Sequence, residues 1–169
     1  GTKTSCPSVD VTIWHAPGRA VYRACDEWRD QRLRELLERP PALVIVTNSS
    51  RYQGWIFDRT EDRLADRTST ATLWQQGSQR TIETLLSRGI PVVELQDTPR
   101  MYRGYRDCLS SGRWADCGRP RTDALDGLAT LQSNSALHSR LDLSDFLCTP
   151  QTCFAVLDGK IAYRDSHHL

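Results

Sequence analysis

Ala42-Leu43-Val44-Ile45-Val46 is an unbroken run of apolar residues, bounded by Pro40-Pro41 before it and by the polar stretch Thr47-Asn48-Ser49-Ser50-Arg51-Tyr52 after it. A short run that is apolar at every position has no side meant for water, which fits a central strand of a parallel sheet covered by helices on both faces. Upstream, Cys25, Trp28, Leu33, Leu36 and Leu37 recur at roughly helical spacing, with Trp28 a core position, and the proline pair ends that helix. Downstream, helical spacing resumes from about Ser69 through Leu73, Trp74, Ile82, Leu85 and Leu86, with Gly77 as an interruption and Gly89 as the stop. Ile90 to Leu95 reads as the next parallel strand and Leu137 to Leu143 as another. Helices alternating with apolar strands predict an α/β fold, a three-layer α/β/α sandwich with a mainly parallel sheet. Ligands of open α/β sheets bind at the carboxyl ends of the strands. The loops at 47–52 and at Gln96-Asp97-Thr98-Pro99 therefore lie where a site is expected.

The remaining segments are less regular. Val9 to Trp14 alternates and fits a short strand or an extended loop, while the charged stretch from Asp58 to Arg67 has no apolar stripe and reads as a mobile surface loop or lid. Met101 to Pro120 reads as irregular, with Arg103, Arg106, Arg113 and Arg119 interleaved with Tyr102, Tyr105 and Trp114. Such a mixture can hold a sugar or a nucleic acid strand, sugar being the better functional guess, or it is a loop packed on its own disulfide. Thr122 to Gln132 reads as a short amphipathic helix through Ala124, Leu125, Leu128 and Leu131.

A length of 169 residues suits one domain, residues 1–169. Twenty-two basic residues stand against 21 acidic ones, so no strong field recruits nucleic acid or an anionic membrane surface. No apolar run approaches the ~20 residues that cross a bilayer. The chain opens on Gly1 with no signal-peptide pattern, and we expect it to be an N-terminally incomplete piece of a larger membrane protein.

The six cysteines fall as three sequence-near pairs, Cys6 with Cys25, Cys108 with Cys117 and Cys148 with Cys153. Pairing of neighbours is one of many connectivities, and each pair brackets a turn-rich loop. A disulfide closing such a loop contributes about 3 kcal/mol and persists only in an oxidising compartment, which points to the periplasm or cell surface. The alternatives are buried thiols or a metal site, and no pair has the Cys-x-x-Cys ligand spacing with a matching partner pair.

The tail carries the chemistry. After Cys148 and Cys153 come an apolar run, an Asp158-Gly159 turn, a second apolar run and then Asp165, His167 and His168. This reads as a stapled hairpin that delivers an acid and an imidazole from its end. Asp-x-x-His spacing brings a carboxylate to one ring nitrogen, which fixes the tautomer and leaves the other nitrogen able to take a proton. His168 is the expected general base and later acid, Asp165 its orienting carboxylate, and His167 the alternative base.

The pattern of Cys148-x-x-x-x-Cys153, Asp158-Gly159 and Tyr163-Arg-Asp-Ser-His-His-Leu169 resembles the C-terminal block of SGNH domains fused to membrane acyltransferases of the acyltransferase-3 family, especially the actinobacterial kind. Thr2-Lys-Thr-Ser-Cys-Pro7, Cys25-Asp-Glu-Trp28-Arg29 and the Asp97-Thr-Pro99 loop extend the likeness over nearly the whole chain. The resemblance implies a flavodoxin-like SGNH hydrolase fold. It also implies an extracytoplasmic domain tethered to the cell membrane, in which a serine takes an acyl group, usually acetyl, and passes it to hydroxyls of a cell-envelope glycan. The donor would be delivered by a membrane acyltransferase domain, with no cofactor, metal or nucleic acid involved, and Asn48 would help hold the oxyanion, the other reading of Asn48 being a turn asparagine that bonds its own backbone. The family's Gly-Asp-Ser block lies upstream of its Thr-Lys-x-x-Cys-Pro element and does not occur in this sequence, nor does the usual Gly-x-Asn around Asn48. Ser49 and Ser50 follow a different strand and are poor replacements. The chain alone is therefore expected to be inactive. A disulfide-stapled, non-catalytic glycan-binding or docking domain on the same scaffold is the alternative, and metal capture by His167 and His168 a third reading.

Overall fold

The computed structural model describes residues 3–102, 104–126, 135–166 and 168. A small hairpin of β1 (Trp14–His15) and β2 (Ala20–Val21) leads into helix α1 (Arg23–Glu38) and strand β3 (Val44–Thr47). A second hairpin, β4 (Phe57–Asp58) and β5 (Arg63–Leu64), precedes α2 (Arg67–Leu86) and β6 (Val92–Leu95). There follow α3 (Tyr105–Ser110), β7 (Arg119–Pro120), the single turn α4 (Arg121–Ala124), β8 (His138–Leu141), β9 (Thr152–Cys153), β10 (Val156–Leu157) and β11 (Lys160–Ile161). These elements form two compact units, Gly1–Leu95 with Ala129–Leu141 and Gln96–Leu128 with Asp142–Leu169.

The first unit contains a parallel three-stranded sheet in the order β3-β6-β8, so that Val44, Val92 and His138 stand side by side. With period 2, Val44, Val46, Val92 and Glu94 share one face with His138 and Arg140. That face is covered by both long helices, through Leu33, Leu36 and Leu37 of α1 and Ile82, Leu85 and Leu86 of α2. On the other face, in the same register, Ile45 is 62 % exposed and Leu141 47 %.

The expected position of the Ala42–Val46 run is thereby corrected. Among the described residues, β3 is an edge strand and β6 is the central one. An apolar run shows that both faces can be buried, but a sheet neighbour and a covering layer must come from elsewhere in the chain. Those long-range partners leave no mark on the run itself.

The stretch read as a lid is the β4–β5 hairpin, with Phe57 opposite Leu64 and Asp58 opposite Arg63. Its turn is organised by Asp58 Oδ1, which accepts from the backbone N–H groups of Thr60 (2.8 Å) and Glu61 (3.3 Å). Helix α2 begins two residues earlier than Ser69 because Asp66 caps it, accepting at Oδ1 from Ser69 N–H at 2.8 Å. Those bonds to the charged form, led by the one from the Ser69 backbone, hold the Asp66 carboxyl below its usual range. Gly77 is a contact point rather than a flaw, since a Cβ there would stand 2.5 Å from the Asp10 carbonyl oxygen. Beside it, Val9, Val11, Ile13, Cys25, Ile56 and Trp74 form an apolar cluster, whereas Trp28 is half-buried.

A buried ionic network lies along α1. Asp26 accepts from Thr12 Oγ1 (3.0 Å), Arg29 Nη2 (2.9 Å) and Arg59 Nη2 (2.5 Å), and Arg29 Nη1 donates to the Val11 carbonyl (2.9 Å). Asp26 and Arg29 are only 8 % and 7 % exposed.

The second unit has shorter elements around a core of Met101, Tyr105, Ala124, Leu147, Cys153, Ala155 and Tyr163. The supposedly irregular 101–120 segment contains α3 and a 3₁₀ turn at Trp114–Asp116. Of the amphipathic helix expected over 122–132, the structure describes one turn, α4, and residues 127–134 lie outside the described residues. The three neighbouring cysteine pairs are bonded as disulfides, Cys6–Cys25, Cys108–Cys117 and Cys148–Cys153. Among the described residues, no helix is long and apolar enough to cross a membrane.

Candidate active site

The tail is built by local rules. Asp158 (φ 48°) and Gly159 (φ 72°) both adopt the left-handed conformation that a two-residue type I′ loop requires. β10 and β11 therefore fold back with Val156 opposite Ile161 and Leu157 opposite Lys160. The chain then passes the buried Tyr163 and bends at residues 164–166, and Arg164 N–H donates to the His168 carbonyl at 2.8 Å.

That turn is fastened to the segment around α3 by its backbone carbonyls. The Tyr105 hydroxyl donates to the Tyr163 carbonyl (3.0 Å), Arg106 Nη2 to the Arg164 carbonyl (2.5 Å) and Met101 N–H to the Ser166 carbonyl (2.8 Å).

Within the turn, Asp165 holds His168 twice. Oδ1 accepts from the His168 backbone N–H at 3.0 Å, and Oδ2 lies 2.6 Å from His168 Nδ1. A carboxylate at Nδ1 selects the tautomer protonated there and leaves Nε2 as an acceptor. The imidazole is about half exposed, so a hydroxyl can reach it, while the Asp165 side chain is 29 % exposed. Arg164 Nη2 lies 3.9 Å from the same Asp165 oxygen. Such an arrangement can take a proton from an incoming hydroxyl and return it to a leaving group. His167 lies outside the described residues.

Asn48 belongs to the other unit. Its Oδ1 accepts from the Ser8 backbone N–H (2.8 Å) and from Ser8 Oγ (2.9 Å). Fixing the oxygen end in this way leaves the Nδ2 end as the donor, which is the end an oxyanion requires. Ser49 caps the 3₁₀ turn Ser50–Trp55, its Oγ accepting from Arg51 N–H at 3.4 Å, and Ser50 is buried. Asp97 accepts from Thr98 N–H at 3.0 Å. Burial, and secondarily the charge of Asp97, pushes the Tyr163 hydroxyl well above its ordinary range. No group of three or more His, Cys, Asp or Glu side chains able to hold a metal occurs among the described residues.

Of the expected residues, the structure brings Asp165 and His168 into contact and gives Asn48 its own support from Ser8. The roles of Met101, Tyr105 and Arg106 in fixing the turn escaped the sequence reading. The arginines among aromatics mark the segment but do not show which of them reach the backbone of the 163–166 stretch, 58 or more residues away.

The family model described as the SGNH domain (fused to AT3 domains) matches residues 1–169. No curated protein and no solved structure matches the chain.

Proposed function

The chain belongs to the SGNH domain family found fused to AT3 domains, and from that membership we propose that it contributes the base and its orienting carboxylate to extracytoplasmic acyl transfer. Family membership itself carries an acyl-transfer or esterase-like role within the SGNH hydrolase and acyltransferase superfamily, with a parallel α/β fold. In our reading a serine hydroxyl loses its proton to His168 Nε2 and attacks the donor's acyl carbon, while Asp165 stabilises the imidazolium. The imidazolium then protonates the leaving group. In the second half-reaction His168 takes a proton from a glycan hydroxyl, the acyl-serine ester is cleaved, and the serine regains its proton. Acetyl is the expected group, a cell-envelope glycan the acceptor, and a membrane acyltransferase domain the source of the donor. Asn48 Nδ2 would hold the oxyanion.

The observation that carries this reading is the 2.6 Å contact between Asp165 Oδ2 and His168 Nδ1, made by a turn that also fixes the imidazole's own backbone. It favours chemistry over a purely docking role. We further propose that the serine comes from polypeptide outside these 169 residues. Support comes from the exposed Ile45 face and from the edge position of β3, where another strand can pair. The disulfides support an extracytoplasmic setting.

The test compares the chain with a longer natural polypeptide that supplies the serine, using an aryl acetate. The 169-residue chain is expected to give no turnover. In the longer protein His168→Ala should lower kcat by roughly 10³-fold or more, with KM nearly unchanged. Hydrolysis by the 169-residue chain that disappears on Ser49→Ala or Ser50→Ala would overturn the external serine. Full activity of the longer His168→Ala protein would overturn the role of His168.

A further inference from the structure

The second unit contains a cavity of about 390 Å³ whose wall includes Arg106, Leu109, Trp114, Ile161, Tyr163 and Arg164. Its volume lies within the range of about 300–1,000 Å³ typical of small-ligand sites. Trp114 is 45 % exposed, and its indole N–H already donates to the Leu109 carbonyl at 3.0 Å. What the indole still offers is a flat apolar face. Ile161, also exposed, extends that surface.

The charge of the wall narrows the ligand. Among the described residues, two guanidinium groups, Arg106 and Arg164, line the cavity, and no Asp or Glu does. Arg106 spends one nitrogen on the Arg164 carbonyl, and Arg164 meets Asp165 only at 3.9 Å, a carboxylate already bonded to His168. A guanidinium has five N–H donors, so both retain capacity. The smaller cavity of the first unit, about 260 Å³, makes a contrast. There Arg59 and Arg80 are each matched by a carboxylate, Asp26 at 2.5 Å and Asp10 at 2.6 Å.

We propose that the cavity beside Trp114 binds an acidic sugar unit, with the pyranose ring stacked on the indole and its carboxylate or phosphate held by Arg106 and Arg164. An aromatic face takes the apolar C–H side of a sugar, and a guanidinium fork matches either anion. Arg164, in the cavity wall, lies 3.9 Å from the Asp165 carboxylate, and on the acyl-transfer reading the cavity seats the acceptor. That last assignment rests on the acyl-transfer reading, whereas the binding itself does not.

Calorimetric titration of the 169-residue chain tests it with three probes of equal length: a neutral gluco-oligosaccharide, the same oligomer bearing a glucuronate, and one bearing a phosphate. At least one acidic probe should bind about tenfold more tightly than the neutral one. The arm that binds identifies the anion. Trp114→Ala and Arg164→Gln should each weaken binding about tenfold, and Trp114→Phe should keep most of it. Equal binding of neutral and acidic probes, no saturable binding, or unchanged binding by Trp114→Ala would overturn the proposal. Failure here together with loss of turnover in the longer His168→Ala protein rejects the cavity and leaves acyl transfer standing. Acidic-probe binding together with full turnover in that variant does the reverse.

Discussion

In the first unit, Asp26 gathers Thr12, Arg29 and Arg59 from three separate segments into one buried network, and two helices of 16 and 20 residues cover one sheet face. In the second, apart from the six-residue α3, strands of two residues and single turns are joined by two disulfides and by side chains donating to backbone carbonyls. The first arrangement draws its order from regular elements with long apolar faces. The second has too little regular structure for that and relies more on covalent closure, with two disulfides against the single Cys6–Cys25 bond of the first. The turn that holds Asp165 against His168 gains from the second solution, because its position is set by fixed backbone atoms rather than by the packing of many exchangeable side chains.

The comparison is broken most severely at Asp26. Asp26→Ala leaves Arg29 buried, with the Val11 carbonyl and Asp10, at 3.6 Å, as its remaining partners. Removing one member of a buried pair is expensive because the other charge remains out of water, and here the loss should be about 3 kcal/mol. Tm should fall by roughly 6–12 °C. Hydrogen exchange should show the loss in the amides of α1 and α2. If α3 and residues 164–168 lose equal protection, the two units do not stabilise themselves separately.

A smaller effect is expected at the second unit's own staple. Replacing Cys108 and Cys117 together by Ser opens a loop with a sequence separation of 9, worth about 2.5 kcal/mol in chain entropy. Limited proteolysis should then cut between α3 and β7 while β6 stays protected. Loss of protection in β6 at the same denaturant concentration would contradict the division.

The sequence was informative where an element depends on residues close together in the chain. Both long helices, the Asp158-Gly159 hairpin, the neighbouring disulfides and the Asp165–His168 pair all satisfy their main requirements within about twenty residues. Asp26 could not be recognised as buried, because its partner Arg59 lies 33 residues away. Asn48 could be placed after its strand, but Ser8, which orients it, is 40 residues upstream. The β4–β5 hairpin has strands too short to display a period of two, and its charged composition hid it. β3 looked central because its run is apolar throughout, while its actual neighbours are decided by β6 and β8.

The smallest expected effect sharpens the comparison from within the helix-covered face of the sheet, at Glu94. Its Oε2 lies 3.8 Å from His138 Nε2, close enough to count as an ion pair, yet neither atom has a hydrogen-bond partner among the described residues. Burial raises the Glu94 carboxyl, against the opposing charge of Arg140, and burial lowers the His138 imidazole. An ion pair would move each group the other way, so desolvation outweighs their attraction. The raised Glu94 favours folding while protonated, below its ordinary value of 4.5, and that advantage is lost as pH rises through its folded value. His138, depressed from 6.5, favours folding while neutral, and that contribution is lost as pH falls from there through its folded value. Glu94→Gln keeps the shape and removes the ionisation. It should raise Tm by about 2 °C at pH 8 and make little difference at pH 4, by thermal melts across that range. A lower Tm for the variant at pH 8 would show that the carboxylate is held there as an ion and that this face, like the Asp26 network, is secured by charge.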